Sequence, residues 1–316
     1  MTEGALFVCH ASYETDRAHC GIDCALAEKP SWQFASAAVV ATRESLTTIP
    51  GYRDCLNGLV NKLSAISKTP AIPLDFSRSD LVGMTKAIHE SVGKQLISSI
   101  RTVIVDASVF PKDRLWMVLD YFKRTNSGGN LFVAYTEPLQ YSTEIGADGW
   151  LSKGVKRLIR VPGFNGHQNP SKRALLVLIV GHEKERMQIT IKNLEPHKVV
   201  LVGQGWQQHG DATPHFPQLI GKQLGMENAG LVDLTGSIEV GSRDYRATCF
   251  AIQSIYEKYK DEYNIIVAGN GTKLQSLGAL LACQNNRSLA AVYAEPQVYN
   301  ARNYSIGTGS SWMLKL

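Results

Sequence analysis

The stretch Tyr135-Thr136-Glu137-Pro138-Leu139-Gln140-Tyr141-Ser142 returns near the end of the chain as Tyr293-Ala294-Glu295-Pro296-Gln297-Val298-Tyr299-Asn300, with tyrosine, glutamate, proline and tyrosine in the same register. A second pair of segments occurs in the same order and at nearly the same spacing. Residues 12–17 follow the first apolar run of the chain, and residues 181–186 follow a later one. Two pairs of similar segments, in the same order and at nearly the same spacing, indicate that the chain contains an internal duplication.

The length of the chain agrees with two domains. Its 316 residues exceed the usual size of one domain, and a hydrophobic content of 44% with 19% charged residues is ordinary for a globular protein. Glycine, proline and polar residues interrupt the periodicity around the middle of the chain. We therefore expect an N-terminal domain over residues 1–145, a linker over 146–173 and a C-terminal domain over 174–316.

Short apolar runs rich in valine and isoleucine alternate with segments of helical period in both halves. Residues 102–106 and 175–180 are typical of strands buried on both faces, whereas Leu56, Leu59 and Leu63 have the spacing of a helix stripe. Alternation of this kind predicts sheets built from strand-helix-strand units. The expected fold class is α/β, with two tandem Rossmann-like domains whose sheets are mainly parallel and which are related by duplication.

The net charge of +5 and the isoelectric point near 8.8 suit an anionic ligand. They fall short of the clustered basic residues of a dedicated DNA-binding protein, so duplex nucleic acid is not the expected primary partner. The first residues lack the features of a signal peptide, and no apolar run approaches the length of about 18 residues that spans a bilayer. We expect a cytoplasmic protein without a membrane partner.

The six cysteines are expected to be reduced thiols rather than a disulfide framework. Soft metal ligands gather in one place only, at Cys9, His10, His19, Cys20 and Cys24. This group lacks the paired Cys-x2-Cys spacing of common zinc sites. We therefore expect neither a metal site nor a cofactor.

The strongest local motif joins an apolar strand to a helix through Gly269, Asn270, Gly271, Thr272 and Lys273. Glycines at such a junction allow close approach, and the N–H groups and dipole of the following helix favour an anion. The spacing matches neither a P-loop nor the dinucleotide fingerprint. The motif predicts a site for a nucleotide phosphate, and the alternative is a tight turn without a ligand.

Strand, small residues, Gly-Thr-Lys and an amphipathic helix near the end of such a domain resemble the CRISPR-associated Rossmann-fold (CARF) sensors. The resemblance covers residues 174 to about 295. It implies that the loop from Asn270 to Lys273 contacts a cyclic oligonucleotide. It also implies that the loop after the first strand completes the pocket, which here contains Gly181, His182, Glu183 and Arg186.

The first half lacks Gly-Thr-Lys at the corresponding turn, where Asp106 and Ser108 stand instead. The segment that echoes residues 181–186 supplies further candidates at the carboxyl edge of the sheet, where open α/β sheets bind ligands. These candidates are Ser12, Tyr13, Glu14 and Arg17. Glutamate and arginine three residues apart also fit an ion pair on a helix, and this alternative stays open for both halves.

The expected function is a nucleotide-binding sensor or regulatory subunit of a prokaryotic antiviral defence system. It would bind an anionic ligand between its two halves and signal to a separate effector protein; homo-oligomerisation stays open. Binding rather than catalysis is the expectation, and no catalytic residue is assigned. One alternative is a metal-independent hydrolase of a cyclic or modified nucleotide, with histidines such as His10 and His182 among its candidate groups. The other is a non-catalytic assembly subunit.

Overall fold

The computed structural model describes residues 4–28, 30, 34–93, 100–126, 128–142, 149–204, 218–225, 231–233 and 235–316. The chain divides into two compact units. The first unit combines Met1–Leu151 with Asn300–Leu316, and the second consists of Ser152–Tyr299. Each unit contains one six-stranded sheet, so the α/β class expected from the alternating sequence pattern is confirmed.

The sheet of the first unit contains strands from both ends of the chain. Its strands are β1 (Ala5–His10), β2 (Phe34–Thr42), β3 (Ile72–Phe76), β4 (Thr102–Asp106), β5 (Asn130–Tyr141) and β12 (Ser305–Lys315). They lie in the order β12-β5-β4-β1-β2-β3, with every pair parallel except β12 and β5. All six residues of β1 are buried, as expected for a central strand that is covered on both faces.

Helices cover this sheet and supply apolar stripes to its core. They are α1 (Thr15–Glu28), α2 (Arg43–Thr48), α3 (Tyr52–Ile66), α4 (Leu81–Ile88), which continues into a π-helical turn at His89–Gly93, and α5 (Lys112–Thr125). Leu59 and Leu63 of α3 are fully buried in the same hydrophobic cluster as Phe34 and Val39 of β2. This packing follows from the helical spacing of the leucines.

The second unit repeats the arrangement. Its strands are β6 (Ser152–Asn165), β7 (Arg173–Ile179), β8 (Lys198–Gly203), β9 (Ile238–Glu239), β10 (Tyr263–Gly269) and β11 (Ala290–Tyr299). Its helices are α6 (Lys184–Leu194), α7 (Gln218–Gln223), α8 (Tyr245–Tyr259) and α9 (Lys273–Asn285). The strand order is β6-β11-β10-β7-β8-β9, and only the pairing of β6 with β11 is antiparallel.

The two sheets have the same topology. The parallel strands of each unit are counted here in chain order. In both sheets the antiparallel strand lies at the edge and is followed by the fifth, fourth, first, second and third parallel strands. The repeated Tyr-x-Glu-Pro segments occupy the same place, because they lie on β5 in the first unit and on β11 in the second. The duplication inferred from these segments is therefore confirmed at the level of the fold.

The limits of the units differ from the domain limits expected from the sequence. Residues 152–165, expected within a linker, form strand β6, and residues 300–316, expected in the second domain, belong to the first unit. Both strands lie at the edge of a sheet and carry many exposed residues. A half-exposed strand needs polar residues and glycine rather than a continuous apolar run, so its composition is that of a connecting segment.

None of the described helices combines the length and the apolar character that crossing a bilayer requires.

Strand β12 contributes one large aromatic contact to the first unit. The ring of Trp312 stacks on Tyr135 of β5 with centroids 5.7 Å apart and planes inclined by 13°. We expect Trp312→Ala to destabilise the protein by on the order of 2 kcal/mol, less than the ~3 to 5 kcal/mol of fully buried aromatic truncations. Urea unfolding measures the change. Ile306→Ala, at a 55% exposed position of the same strand, is the control that should leave stability unchanged. Equal effects of the two substitutions would contradict this account.

Candidate ligand-binding site

The predicted site residues of the second unit lie at the point where the order of the strands reverses. Strands β7 and β10 are parallel neighbours, with Ile179 opposite Gly269. The chain leaves β7 towards β8 on one side, whereas β10 leads to β11 on the other. In open α/β sheets, ligands bind in the crevice outside the carboxyl ends of two such strands.

The two loops that leave these strands touch each other. A Cβ atom at Gly181 would lie 2.0 Å from the carbonyl oxygen of Asn270 and 3.3 Å from the backbone nitrogen of Gly271. Only glycine allows this approach, because any other residue would force the loops apart. The structure thus brings together the two segments that the sequence analysis proposed as one site.

Thr272 begins helix α9 with a complete capping box. Its hydroxyl accepts from the backbone N–H of Gln275 at 3.2 Å, and its own N–H donates to Oε1 of Gln275 at 3.0 Å. Gly271 leaves room for the Gln275 side chain, since a Cβ there would lie 2.3 Å from Oε1. The box fixes the start of the helix and supplies an acceptor for one N–H group of its first turn.

Asn270 has a buried side-chain amide nitrogen that forms no hydrogen bond with any described residue. The residue is 8% exposed, and its Nδ2 has no hydrogen-bond partner among the described residues. A buried amide without a partner costs free energy, and such groups are rare in folded proteins. Lys273 follows as a partly exposed first residue of the helix, and His182 is exposed on the facing loop. The loops therefore offer a donor and a cation to an anion.

The other two predicted residues of this unit form a buried ion pair. Arg186 donates through Nη1 to the carboxylate of Glu183 and through Nη2 to the carbonyl of Ala294 on β11 at 2.7 Å. Glu183 also accepts from the hydroxyl of Ser152 on β6. Burial of Arg186 acts against its charge, yet the adjacent Glu183 raises the pKa of the guanidinium above its usual value. The pair joins α6 to the two outer strands of the sheet.

The first unit contains the same arrangement. Arg17 donates to Glu14 at 2.5 Å and to the carbonyl oxygens of Ser108 at 2.8 Å and Thr136 at 3.1 Å. Glu14 accepts from the hydroxyl of Ser305 on β12. Burial opposes the charge of Arg17, and Glu14 again raises the pKa of the guanidinium. We call each set of arginine, glutamate and serine a clamp.

The clamps give the ion-pair alternative a physical basis. They hold Glu14, Arg17, Glu183 and Arg186 in the framework of each unit. A direct role of these four residues in ligand binding stays a prediction.

Asp106 and Ser108 lie beneath the surface of the first unit. They are 1% and 2% exposed, and Oδ1 of Asp106 accepts from the N–H and the hydroxyl of Ser108 at 2.9 and 2.5 Å. The Ser108 hydroxyl in turn accepts from the N–H of Thr136 at 2.8 Å. Ser12, 5% exposed, accepts from the N–H of Glu14 at 3.1 Å. These residues lie beneath the loops at the carboxyl ends of the parallel strands, which we call the loop edge of a unit. Their role in ligand binding also stays a prediction.

A cavity of about 210 Å³ opens beside the clamp of the first unit. Its volume is below the roughly 300 to 1,000 Å³ of typical ligand pockets, so it suits a single group such as a phosphate or one ring. The ring centroids of Tyr13 and Tyr304 lie 5.8 Å apart, with the ring planes inclined by 60°. Its lining residues come from the start of α1 and from the segment that leads into β12, and they are Tyr13, Glu14, Thr15, Asp16, Arg17, Ala301, Arg302, Tyr304, Ser305 and Gly307.

The sequence analysis missed the half of this cavity that comes from residues 301–307. These residues were assigned to the second domain, whereas the structure places them against α1 of the first unit. The only signal for this placement is the relation of Ser305 to Ser152, each of which bonds the glutamate of one clamp. A single serine in a polar stretch cannot be recognised from the sequence alone.

The cysteine and histidine group near the amino terminus is divided between core and helix surface. Cys9 and His10 are buried in β1, where burial raises the pKa of the Cys9 thiol. Nδ1 of His10 donates to the carbonyl of Ala11 at 2.6 Å, so Nε2 is the acceptor that faces Nη1 of Arg114 at 3.4 Å. Within the described ranges, no group of three or more histidine, cysteine, aspartate or glutamate residues is arranged to hold a metal ion.

The fold resembles that of a Type III CRISPR defence DNA nuclease activated by cyclic oligoadenylate. The TM-score is 0.55 with 10% sequence identity, and the match covers 92% of this chain but only 65% of the nuclease. At this identity the likeness is one of fold, and it agrees with the Rossmann-like α/β architecture expected from the sequence.

Other comparisons carry no argument. A UDP-N-acetylglucosamine 2-epimerase from Listeria monocytogenes, described as putative, matches with a TM-score of 0.29 at 12% identity, covering 97% of this chain and 93% of that one. An N-terminal ketoreductase from a macrolactin assembly line matches with a TM-score of 0.24 at 9% identity, covering 92% and 69%. No protein-family model and no curated protein matches the sequence.

The clamps predict a large loss of stability when the carboxylate alone is removed. We expect Glu183→Gln to lower the free energy of unfolding by about 3 kcal/mol, because the buried guanidinium of Arg186 loses its counter-charge. Glu14→Gln should act similarly in the first unit. Glu28→Gln, at the exposed end of α1, is the matched control. Urea unfolding measures all three, and wild-type stability of both clamp variants would show that the pairs are dispensable.

The contact between the two loops predicts that position 181 does not tolerate a residue other than glycine. Gly181→Ala would place a methyl group 2.0 Å from the carbonyl oxygen of Asn270, so one loop must move. We expect faster hydrogen exchange at residues 270–273 and a lower melting temperature than in the wild type. Gly241→Ala, where a Cβ meets no atom within 4 Å, is the control. Unchanged exchange in the Gly181 variant would mean that the loops do not depend on each other.

Proposed function

We propose that this protein binds a nucleotide-type anion, in particular a cyclic oligonucleotide, at the loop edge of its second unit. It acts as a sensor or regulatory subunit in prokaryotic antiviral defence and passes its output to a separate effector protein. The observation that carries the proposal is the meeting of the Gly181 loop with the Asn270 loop at the switch point of the strands.

The chemistry of this edge suits a phosphate. Asn270 supplies an amide donor without a partner among the described residues, and Lys273 supplies a cation at the first residue of α9. The first turn of the helix adds backbone N–H groups and the positive end of its dipole. Gly181 and Gly271 let the two loops and the capping side chain of Gln275 pack closely enough to form this edge.

The likeness of fold supports the identity of the ligand class. The nuclease with the similar fold is activated by cyclic oligoadenylate, and the match covers 92% of this chain. Cyclic oligoadenylate contains the phosphates that the loop edge suits. The context of antiviral defence and the separate effector rest on this likeness and on the resemblance of the motif.

Binding is favoured over hydrolysis by the state of one candidate base. His10 is 2% exposed, lies 4.8 Å from the ring of Phe110 and donates to a backbone carbonyl. A general base must reach the proton that it removes. A buried histidine whose Nδ1 is held by the carbonyl of Ala11 does not meet this requirement.

Titration with cyclic oligoadenylates of different ring size tests the proposal. We expect the wild type to be stabilised against heat, and Lys273→Ala or Asn270→Leu to lower the affinity at least ~10-fold, as loss of a charge-assisted hydrogen bond of about 1.5 to 3 kcal/mol implies. Lys192→Ala, an exposed lysine in the last turn of α6, is the control that should bind normally.

Mass spectrometry of the ligand after incubation distinguishes the competing functions. A sensor returns the cyclic oligoadenylate intact, whereas a hydrolase converts it into linear products. Absence of binding in the wild type contradicts the proposal. Tight binding that persists in the Lys273 and Asn270 variants would place the ligand elsewhere.

A further inference from the structure

The cavity beside the clamp of the first unit is lined by that unit alone. Its lining residues come from two segments, residues 13–17 at the start of α1 and residues 301–307 at the start of β12. Both segments belong to the first unit, whereas the proposed anion site lies in the second. A molecule bound in this cavity is therefore a second ligand, independent of the proposed one.

Four charged residues line the cavity, and two of them neutralise each other. Nη1 of Arg17 donates to Oε1 of Glu14 at 2.5 Å, and the same oxygen accepts from the hydroxyl of Ser305. The side chains of Arg17 and Glu14 are only 4% and 11% exposed. The clamp thus contributes no net charge to the wall of the cavity.

Asp16 and Arg302 are the other two charged residues of the lining. Both are exposed, and neither side chain forms a hydrogen bond or an ion pair with any residue that the structure describes. They therefore do not pair with each other, although they line the same cavity. One opening presents an unpaired carboxylate and an unpaired guanidinium.

Two tyrosine rings form another part of the wall. Tyr13 and Tyr304 are half-buried and contact each other, and the edge of Tyr304 also meets the ring of Tyr141, with centroids 6.2 Å apart and planes inclined by 75°. These contacts hold the rings in place. Aromatic rings in such an arrangement favour a further ring that stacks on them or meets them edge to face.

The charges of the lining distinguish between ligands that fit the volume. A phosphate pairs with Arg302 but brings its negative charge to the carboxylates of Glu14 and Asp16. A neutral ring removes water from Asp16 and Arg302 without pairing either charge, which costs free energy. A molecule that carries one ammonium and one carboxylate group pairs both residues.

We propose that this cavity binds a small zwitterion, namely an α-amino acid with an aromatic side chain. The carboxylate of the ligand pairs with Arg302, whose planar guanidinium can bond both carboxylate oxygens. The ammonium group pairs with Asp16, and the aromatic side chain packs against Tyr13 and Tyr304. The volume of about 210 Å³ limits the ligand to a single amino acid rather than a peptide.

Calorimetry with three matched probes tests this inference. The probes are L-phenylalanine, its amide, which lacks the carboxylate, and N-acetyl-L-phenylalanine, which lacks the ammonium charge. We expect the wild type to bind L-phenylalanine at least ~10-fold more tightly than either derivative, because each derivative loses one charge-assisted contact.

Two variants assign each charge of the ligand to one residue. Arg302→Gln should bind L-phenylalanine and its amide equally and keep the preference over the N-acetyl derivative, and Asp16→Asn should do the reverse. Both side chains are exposed and bond no described residue, so both variants should fold as the wild type does. Arg53→Gln and Asp54→Asn, at exposed positions in the first turn of α3, are the matched controls that should bind as the wild type does.

The rival ligand classes are outcomes of the same experiment. Absence of L-phenylalanine binding in the wild type overturns the inference, as does equally tight binding of orthophosphate or adenosine. Equal loss of affinity for all three phenylalanine probes in a variant would show that its side chain does not recognise the group assigned to it, and this too overturns the inference. The phenylalanine probes contain no phosphate, so their failure leaves the proposed function standing, and failure of cyclic oligoadenylate to bind leaves this site standing.

Discussion

The buried pairing of arginine with glutamate is the interaction on which both units depend. Arg17 and Arg186 are 4% and 5% exposed, and each guanidinium bonds both a carboxylate at the start of the first helix and a backbone carbonyl on the fifth strand. A buried charge is costly unless it is paired with an opposite charge. The clamp therefore fixes the first helix, the fifth strand and the antiparallel strand in one position.

The clamp also explains the motif that reveals the duplication. Tyr293 and Tyr299 lie six positions apart on β11. Their hydroxyls lie 3.0 Å apart, and the guanidinium carbon of Arg186 lies 5.4 Å from the centre of the Tyr293 ring. In the first unit Tyr135 and Tyr141 are hydrogen-bonded in the same way, and burial raises the pKa of Tyr135. The repeated tyrosines belong to the surroundings of the clamp.

Fixing the frame leaves the loop edge free to differ between the units. Where the second unit has Gly269 and Asn270 against Gly181, the first has Asp106 and Ser108 bonded into the core. The first unit instead has a small cavity between α1 and the segment before β12. One scaffold thus carries two different edges.

The sequence predicted the central strands and their helices because continuous apolar runs and leucine stripes are local signals, as β1 and α3 illustrate. It did not predict β3, whose five residues alternate in burial. It also did not predict β12, which is rich in serine and glycine and lacks a continuous apolar run. Within the described residues Val232 forms only an isolated bridge with Val199, and β9 begins at Ile238. Edge strands owe their place to a partner strand rather than to their own composition.

The sequence by itself determined the duplication, the α/β class and the glycine-rich turn before α9, because each can be recognised from the pattern of residues within short segments. Only the tertiary structure decided which segments share a unit. It placed Ser305 against Glu14 and Ser152 against Glu183, and it placed Ser242 beside Thr272. Such contacts join residues that are far apart in the chain, and the free energy that selects them comes from burying a charge or completing a sheet. No local pattern records these long-range terms.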